Sequence, residues 1–230
     1  MTQTKPSYTG HRERLRKKFL QSGPSAFHDH EILEFLLTYA IPRKDTKRLA
    51  WDILKRFGTF SRVLDAKPED LITIDGIGEN SAVFFPLLRE AMRRYYLGKL
   101  LKKDAVKCPR DVLKYCEASL EGEPDEIFEV LYLSVRNKVM SSERLFTGTI
   151  DRTAVYPRKV IEKALKNKAA GLIFAHNHPS GEVSPSREDE IMTKELNEAA
   201  KAVGITVHDH IIIGVGKDNY YSFREHGLIK

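Results

Sequence analysis

The stretch A-H-N-H-P-S-G-E-V-S-P-S-R-E-D, residues 175–189, constrains this chain more than any other. G-L-I-F-A at its start is a short apolar run with a branched and an aromatic residue, which reads as a buried strand delivering His176 and His178 at its end. P-S-G-E-V-S-P-S then reads as a turn-rich loop. From Ser186 onward, apolar residues at Ile191, Met192, Leu196, Ala199 and Val203 keep a helical period that Gly204 closes. The fold must therefore contain a strand, a loop and a helix whose first turn carries Asp189 back toward the strand end. A carboxylate in that turn is favoured by the helix dipole.

Two imidazoles and one carboxylate form a ligand set suited to zinc, with the fourth tetrahedral position left to water, as in a catalytic rather than a structural site. Taken singly the parts have plainer readings. Ser186 with Asp189 three residues on is close to a capping box, and two histidines at strand spacing are commonly hydrogen-bonded surface residues. Their joint occurrence around a Pro-Ser-Gly turn favours His176, His178 and Asp189 as metal ligands.

Charge divides the chain. Residues 1–107 hold 21 Lys and Arg against 13 Asp and Glu, whereas residues 108–230 hold 17 against 19. A basic excess confined to one half fits a nucleic-acid or other polyanion surface, or a solvated helical domain. That half reads as helical throughout, with apolar stripes in H-R-E-R-L-R-K-K-F-L, E-I-L-E-F-L-L-T-Y-A, T-K-R-L-A-W-D-I-L-K-R-F and N-S-A-V-F-F-P-L-L-R-E-A-M-R-R-Y-Y. Trp51, Phe57, Phe60 and Leu64 are expected in its core. Asp29 is expected to cap the second helix, with His28 and His30 structural.

Two domains are expected at this length, 1–104 all-helical and 105–230 layered α/β with a mixed sheet, joined by the polar segment Gly98–Asp104. The second should hold a helix at Pro109–Ser119, strands at 126–134 and 138–146, a helix opened by Pro157, the metal strand and helix, the strand T-V-H-D-H-I-I-I-G and a final Y-Y-S-F. Apolar runs fall short of the roughly 18 residues of a membrane span, and the basic N-terminus lacks a following signal-peptide core. Cys108 and Cys116 have no metal-binding spacing and fit free thiols in a reducing compartment, so a cytoplasmic location without a membrane partner is expected.

The spacing H-N-H-P-S-G, six residues to Ser186, then Asp189 resembles the JAMM/MPN+ zinc hydrolase signature. With V-H-D-H-I-I-I-G, Y-Y-S-F-R-E-H-G-L-I, G-H-R-E-R-L-R, Y-A-I-P-R-K-D-T and G-I-G-E-N-S-A, the chain resembles the RadC (UPF0758) family over nearly its whole length. In L-Y-L-S-V-R-N that family more usually carries an aspartate where Ser134 stands. The resemblance implies a JAMM/MPN domain of the cytidine-deaminase-like layered type and a zinc-dependent protease acting on a peptide or isopeptide bond in a protein substrate. It implies His176, His178 and Asp189 as ligands, Ser186 holding the oxyanion, and a strand-borne glutamate as general base.

Such a base must take the proton of a water whose pKa zinc brings to about 7. Glu126, opening E-I-F-E-V-L-Y-L, is chosen for that role by likeness to JAMM strands; Glu129 and Glu143 are the rivals. His208 and His210, also two apart on a strand, lack a following acid at a helix start and read as structural or supporting, with Asp209 or His210 able to orient a ligand histidine. L-I-T-I-D-G-I-G-E-N-S-A resembles a helix-hairpin-helix, which makes Gly76, Gly78 and Asn80 candidate phosphate contacts for DNA.

Three classes of function follow: a zinc-dependent hydrolase, a DNA repair or recombination accessory acting as nuclease or scaffold, and a non-enzymatic interaction domain that keeps its metal site. Glu126, Ser186 and the three ligands together favour the first. A zinc deaminase is disfavoured, since that chemistry wants H-x-E and a later P-C-x-x-C.

Overall fold

The computed structural model describes residues 10–42, 44–148, 155–216 and 218–229; Arg43 of the motif Y-A-I-P-R-K-D-T lies outside them. The chain divides into two compact units, Met1–Glu90 and Ala91–Lys230.

The first unit holds α1 (His11–Ser22), a 3-10 turn at Pro24–Ala26, α2 (Asp29–Ala40), α3 (Lys47–Phe57), α4 (Phe60–Asp65), α5 (Pro68–Ile72) and α6 (Glu79–Ala82), and α7 (Phe84–Leu100) begins in it. Leu33, Leu37, Ile53, Val63, Leu71 and Phe85 form its core, each fully buried. The apolar stripe expected from Asn80 to Tyr96 is divided into α6 and α7. Phe57, Phe60 and Leu64 flank the core half-buried, but Trp51 does not enter it. The indole is 51% exposed and stacks on His30, with ring centroids 4.3 Å apart. His28 rather than Asp29 is the residue before α2, and its N–H donates to Glu31.

Between α5 and α6 the chain turns through Ile74–Gly78. Gly76 has φ +93°, in the left-handed region that a side chain resists, while its Cα faces Leu49. The Gly78 N–H donates to Ser81 Oγ at 3.0 Å, which closes the start of α6.

The second unit continues from α7 through α8 (Pro109–Leu120), β1 (Ile127–Leu133), β2 (Val139–Thr147), α9 (Pro157–Lys166), β3 (Gly171–Asn177), α10 (Arg187–Ala202), β4 (Thr206–Ile213) and β5 (Tyr220–Ser222). The expected linker at Gly98–Asp104 is no free tether. Its first three residues end α7, Lys102 N–H donates to Val139 O, and Val139 N–H donates to Lys103 O. These bonds add the segment to the start of β2. The turn from β1 to β2 is held by Ser134, whose Oγ accepts from the N–H groups of Arg136 and Lys138.

The five strands lie in the order β2-β1-β3-β4-β5, with β3 and β4 parallel and every other pair antiparallel. β1 and β3 are buried along their whole length, as central strands covered on both faces must be. On one face Phe128, Val130, Tyr132, Leu172 and Phe174 pack with Val160 of α9 and Met192 and Leu196 of α10. On the other, Ile127, Leu131, Leu133, Ile173 and Ala175 pack with Val112, Tyr115 and Leu120 of α8. The period of two along each strand thus makes three layers, with helices on both sides of the sheet.

One irregularity matters for the site. The pairing of β3 with β4 slips so that Leu172 faces Val207 but Ile173 faces Asp209, leaving His208 as a bulge. Its ring covers Gly171, where a Cβ would meet His208 Nε2 at 2.7 Å, so a side chain at position 171 would have to displace the imidazole. The extra residue changes the phase of β4 and turns His210 to the α10 side of the sheet, the re-aiming that bulges provide.

Candidate metal centre

β3 ends at Asn177, so His176 is held inside the sheet and His178 stands one residue beyond it. The ladder nevertheless extends to His178, whose N–H donates to Ile213 O at 3.0 Å. A turn closed by Gly181 N–H to His178 O then sends the chain toward α10. Ser186 caps that helix: its Oγ accepts from Asp189 N–H at 3.1 Å, and its own N–H donates to Asp189 Oδ2 at 2.8 Å. The capping reading and the ligand reading of Ser186-x-x-Asp189 are therefore compatible. The cap aims the carboxylate.

The three expected ligands meet. His176 Nε2 lies 3.1 Å from His178 Nε2 and 3.2 Å from Asp189 Oδ1, and His178 Nε2 lies 3.4 Å from Asp189 Oδ2. A tetrahedral zinc with ligand bonds of about 2.0–2.2 Å separates its ligand atoms by about 3.3–3.5 Å. With one oxygen offered by Asp189, the three donor atoms fall within 4.8 Å of one another. Oδ1 is the oxygen available to an ion, since Oδ2 already accepts from Ser186 N–H and from Ser186 Oγ at 2.6 Å. This donor set fits zinc.

Hydrogen bonds fix which nitrogen of each histidine faces the centre. His178 Nδ1 lies 2.7 Å from Glu182 O, a pure acceptor, so Nδ1 carries the proton and Nε2 the lone pair. The His176 tautomer is set through two further residues, His210 and Thr193. Thr193 Oγ1 donates to Asp189 O at 2.6 Å, which spends its one hydrogen. His210 Nδ1, 2.6 Å from the same oxygen, must then donate to it. His210 Nε2 is left to accept from His176 Nδ1 at 2.8 Å, and His176 Nε2 also presents its lone pair. The chain His176, His210, Thr193 and Asp189 O closes on the ligand helix itself.

Without an ion between them, the His178 ring and the Asp189 carboxylate favour each other's charged forms, a protonation state distinct from the metal-bearing tautomers. Complete burial, reinforced by His176, pushes the His210 pKa well below its ordinary value and keeps the ring neutral. Burial opposes ionisation of Asp189, but the hydrogen bonds from His176, His178 and Ser186 outweigh it and hold the carboxyl far below the usual range. The hydrogen bond to Asp189 raises His178 against its own burial, with Glu126 adding to the rise. His176 and Asp189 are 1% and 5% exposed, so solvent reaches the centre chiefly beside the more open His178.

The glutamates separate clearly. Glu126 stands immediately before β1, in phase with Phe128 and Val130 on the α10 side, and is close enough for its charge to act on His178. Glu129 points to the opposite side. It is buried against α8, where Tyr115 OH and Ser119 Oγ donate to its two oxygens. Glu143 on β2 pairs with Lys163 Nζ at 2.5 Å and accepts from Tyr132 OH. Glu129 is thus held in the core and Glu143 in a partly exposed ion pair.

The RadC-like JAB domain family matches residues 106–228 and the UPF0758 N-terminal family matches residues 8–83. The chain belongs to the RadC (UPF0758) family. A UPF0758 protein of Fusobacterium nucleatum is 43% identical over 227 residues, covering 96% of this chain and 97% of its own. In this RadC-family chain the JAB match spans every strand of the sheet together with His176, His178 and Asp189.

Sequence reading of the RadC motif missed three supporting groups: Asn177, Thr193 and the carbonyl of Glu182. Thr193 lies one helical turn after Asp189, a spacing that could have suggested a partner on the same face. The Glu182 carbonyl leaves no trace in side-chain identity. His210, read as structural or orienting, lies directly behind His176. His208 fills the bulge. In the first unit, Gly76, Gly78 and Asn80 line one depression of about 550 Å³ with Lys44 and Ser81. Gly78 is a poor phosphate contact there, because its N–H already serves Ser81.

Proposed function

We propose that this RadC-family protein is a zinc-dependent metallohydrolase that cleaves a peptide or isopeptide bond in the cytoplasm. One observation carries the reading: His176 Nε2 at the end of β3 lies 3.1 Å from His178 Nε2 in the turn after it and 3.2 Å from Asp189 Oδ1 at the start of α10, all three donor atoms fall within 4.8 Å of one another, and the tautomers of both histidines are fixed to offer lone pairs. His176 Nε2, His178 Nε2 and Asp189 Oδ1 would hold the ion. A zinc there would supply Lewis acidity, lowering the pKa of its water to about 7 and polarising a substrate carbonyl.

The chain's own residues account for the remaining work. Glu126 takes the proton of the attacking water and returns it to the leaving nitrogen, a transfer typically worth about 10²–10⁴-fold in rate. Ser186 Oγ, now donating to Asp189 Oδ2, is the hydroxyl placed to turn toward the substrate oxyanion. His178, the more exposed ligand, marks the side from which the substrate approaches. Metal analysis joined to an unbiased peptide-cleavage profile tests the reading: Glu126→Gln should retain metal and lose turnover. Unchanged turnover in that variant would remove Glu126 as the base.

A second activity is favoured by the basic excess of the N-terminal half. We infer a polyanion surface, with DNA as the partner, on the first unit around Lys44 and Asn80 beside the Gly76 turn. Its affinity should fall steeply with salt and be lost on deleting residues 1–100.

A further inference from the structure

We propose that Asn177, the residue between the two ligand histidines, is a positioning residue that brackets Glu126 and holds it at the metal centre. The inference rests on the hydrolase reading above and assigns a part of that site which the histidine and aspartate motif does not explain.

Asn177 is 2% exposed, and its side chain alternates with those of His176 and His178. The carboxamide is fully used on one distant stretch of chain. Its oxygen accepts from Ile127 N–H at 2.8 Å, and its nitrogen donates to Asp125 O at 3.0 Å and Glu123 O at 3.3 Å. Ile127 and Asp125 are the two neighbours of Glu126. A third tie comes from the residue after β2, where Gly148 N–H donates to the Glu126 carbonyl at 2.9 Å.

Pairing with β2 reaches Glu126, but pairing with β3, the strand that carries the histidines, does not. The register of β1 with β3 runs from Leu133 opposite Gly171 to Phe128 opposite His176 and stops there. Asn177 pairs its backbone with Ile213 of β4 instead. Where the ladder ends, the Asn177 side chain replaces the missing backbone partner of Ile127 and carries the connection past residue 126. The bracket therefore ties the base to the same strand end that carries the ligands. A base must come within about 2.6–3.2 Å of its proton, and a 1 Å misplacement can cost about 10²-fold, so such a bracket bears directly on the chemistry.

Asparagine suits the task because one carboxamide offers an acceptor and two donors. Aspartate keeps the acceptor for Ile127 N–H but sets a carboxylate against the carbonyls of Glu123 and Asp125. Alanine removes all three bonds.

The test uses the full-length protein loaded with cobalt in place of zinc, reading metal stoichiometry and the pH midpoint of the visible band in wild type, Glu126→Gln, Asn177→Ala, Asn177→Asp and the double variant Glu126→Gln/Asn177→Ala. Wild type and all variants should bind one cobalt. Each Asn177 variant should move the midpoint in the direction of Glu126→Gln and by at least half as far, and the double variant should move no further than Glu126→Gln alone, as coupled sites do. A wild-type midpoint in both Asn177 variants, or shifts that add in the double variant, would overturn the bracket while leaving the metal reading intact. Wild-type protein that takes up no cobalt would overturn the metal reading itself. Should Asn177→Ala fail to fold, Asn177→Asp alone decides the comparison.

Discussion

His210 Nε2 lies 2.8 Å behind His176 Nδ1, and the ring of His210 is fully buried with Thr193 on its far side. That contact makes a residue outside the His176, His178 and Asp189 group responsible for which nitrogen of His176 would face a bound ion. It also explains why β4 needs its bulge at His208, since without the extra residue the position of His210 would face α8.

Removing this support should weaken metal binding without removing a ligand. Thr193→Val leaves His210 free to reverse its tautomer, and His210→Ala leaves His176 without its partner. Each should lower zinc affinity about 10–100-fold with stoichiometry unchanged, measured by competition with a chromophoric chelator. Wild-type affinity in both variants would contradict the tautomer argument.

The Ser186 cap should contribute to stability and to the metal site separately. Ser186→Ala should cost about 0.5–2 kcal/mol in denaturant unfolding of the metal-free protein and also weaken metal binding, because Asp189 Oδ2 loses its hydroxyl donor. Ser186→Thr, which keeps the hydroxyl, should recover most of both. A variant with altered stability and wild-type metal affinity would separate the cap from the ligand.

Glu129 should behave as a buried structural acid. Tyr115→Phe removes one of its donors and should destabilise the fold by about 1–3 kcal/mol while leaving metal content and any turnover intact. Loss of turnover in a folded, metal-loaded Tyr115→Phe protein would return Glu129 to the list of candidate bases.

His208 gives the fold a pH dependence of definite sign. Burial and then Arg224 lower its pKa below the ordinary 6.5, so below that pH the unfolded chain takes a proton that the folded chain resists. The contribution of His208 is therefore absent above pH 6.5 and becomes destabilising as pH falls below it, until the folded-state pKa is reached. His178 and Asp189 titrate with their own signs, so the readout is a difference. Between pH 6.5 and 5, wild type should lose stability faster than His208→Gln in thermal unfolding of the metal-free protein. Parallel curves would contradict the assignment.

How far the sequence could be read follows from the range over which each signal acts. The strand, turn and helix around residues 171–204 were legible because period, turn chemistry and cap all lie within a few residues of one another. The orientation of Glu129 toward α8 was not, since E-I-F-E-V-L-Y-L looks the same whether residue 126 or residue 129 faces the histidines. Only the pairing of Phe128 with His176 fixes the phase. The support from His210 depends on a one-residue slip between β3 and β4, which no local pattern announces. Trp51 fits the apolar stripe of its helix, yet it stacks on His30 at the surface because the core of the first unit is filled by Leu49, Ala50 and Ile53 from the same helix. The helical break at Val83 was hidden by apolar residues on both of its sides.

The central claim is that His176, His178 and Asp189 together hold one divalent ion. Calorimetric titration of the metal-stripped protein with zinc tests it directly. The account predicts one site per chain, abolished in His178→Ala and in Asp189→Ala while both variants remain folded. Absence of a stoichiometric site in the wild type, or an undiminished site in those variants, would contradict it.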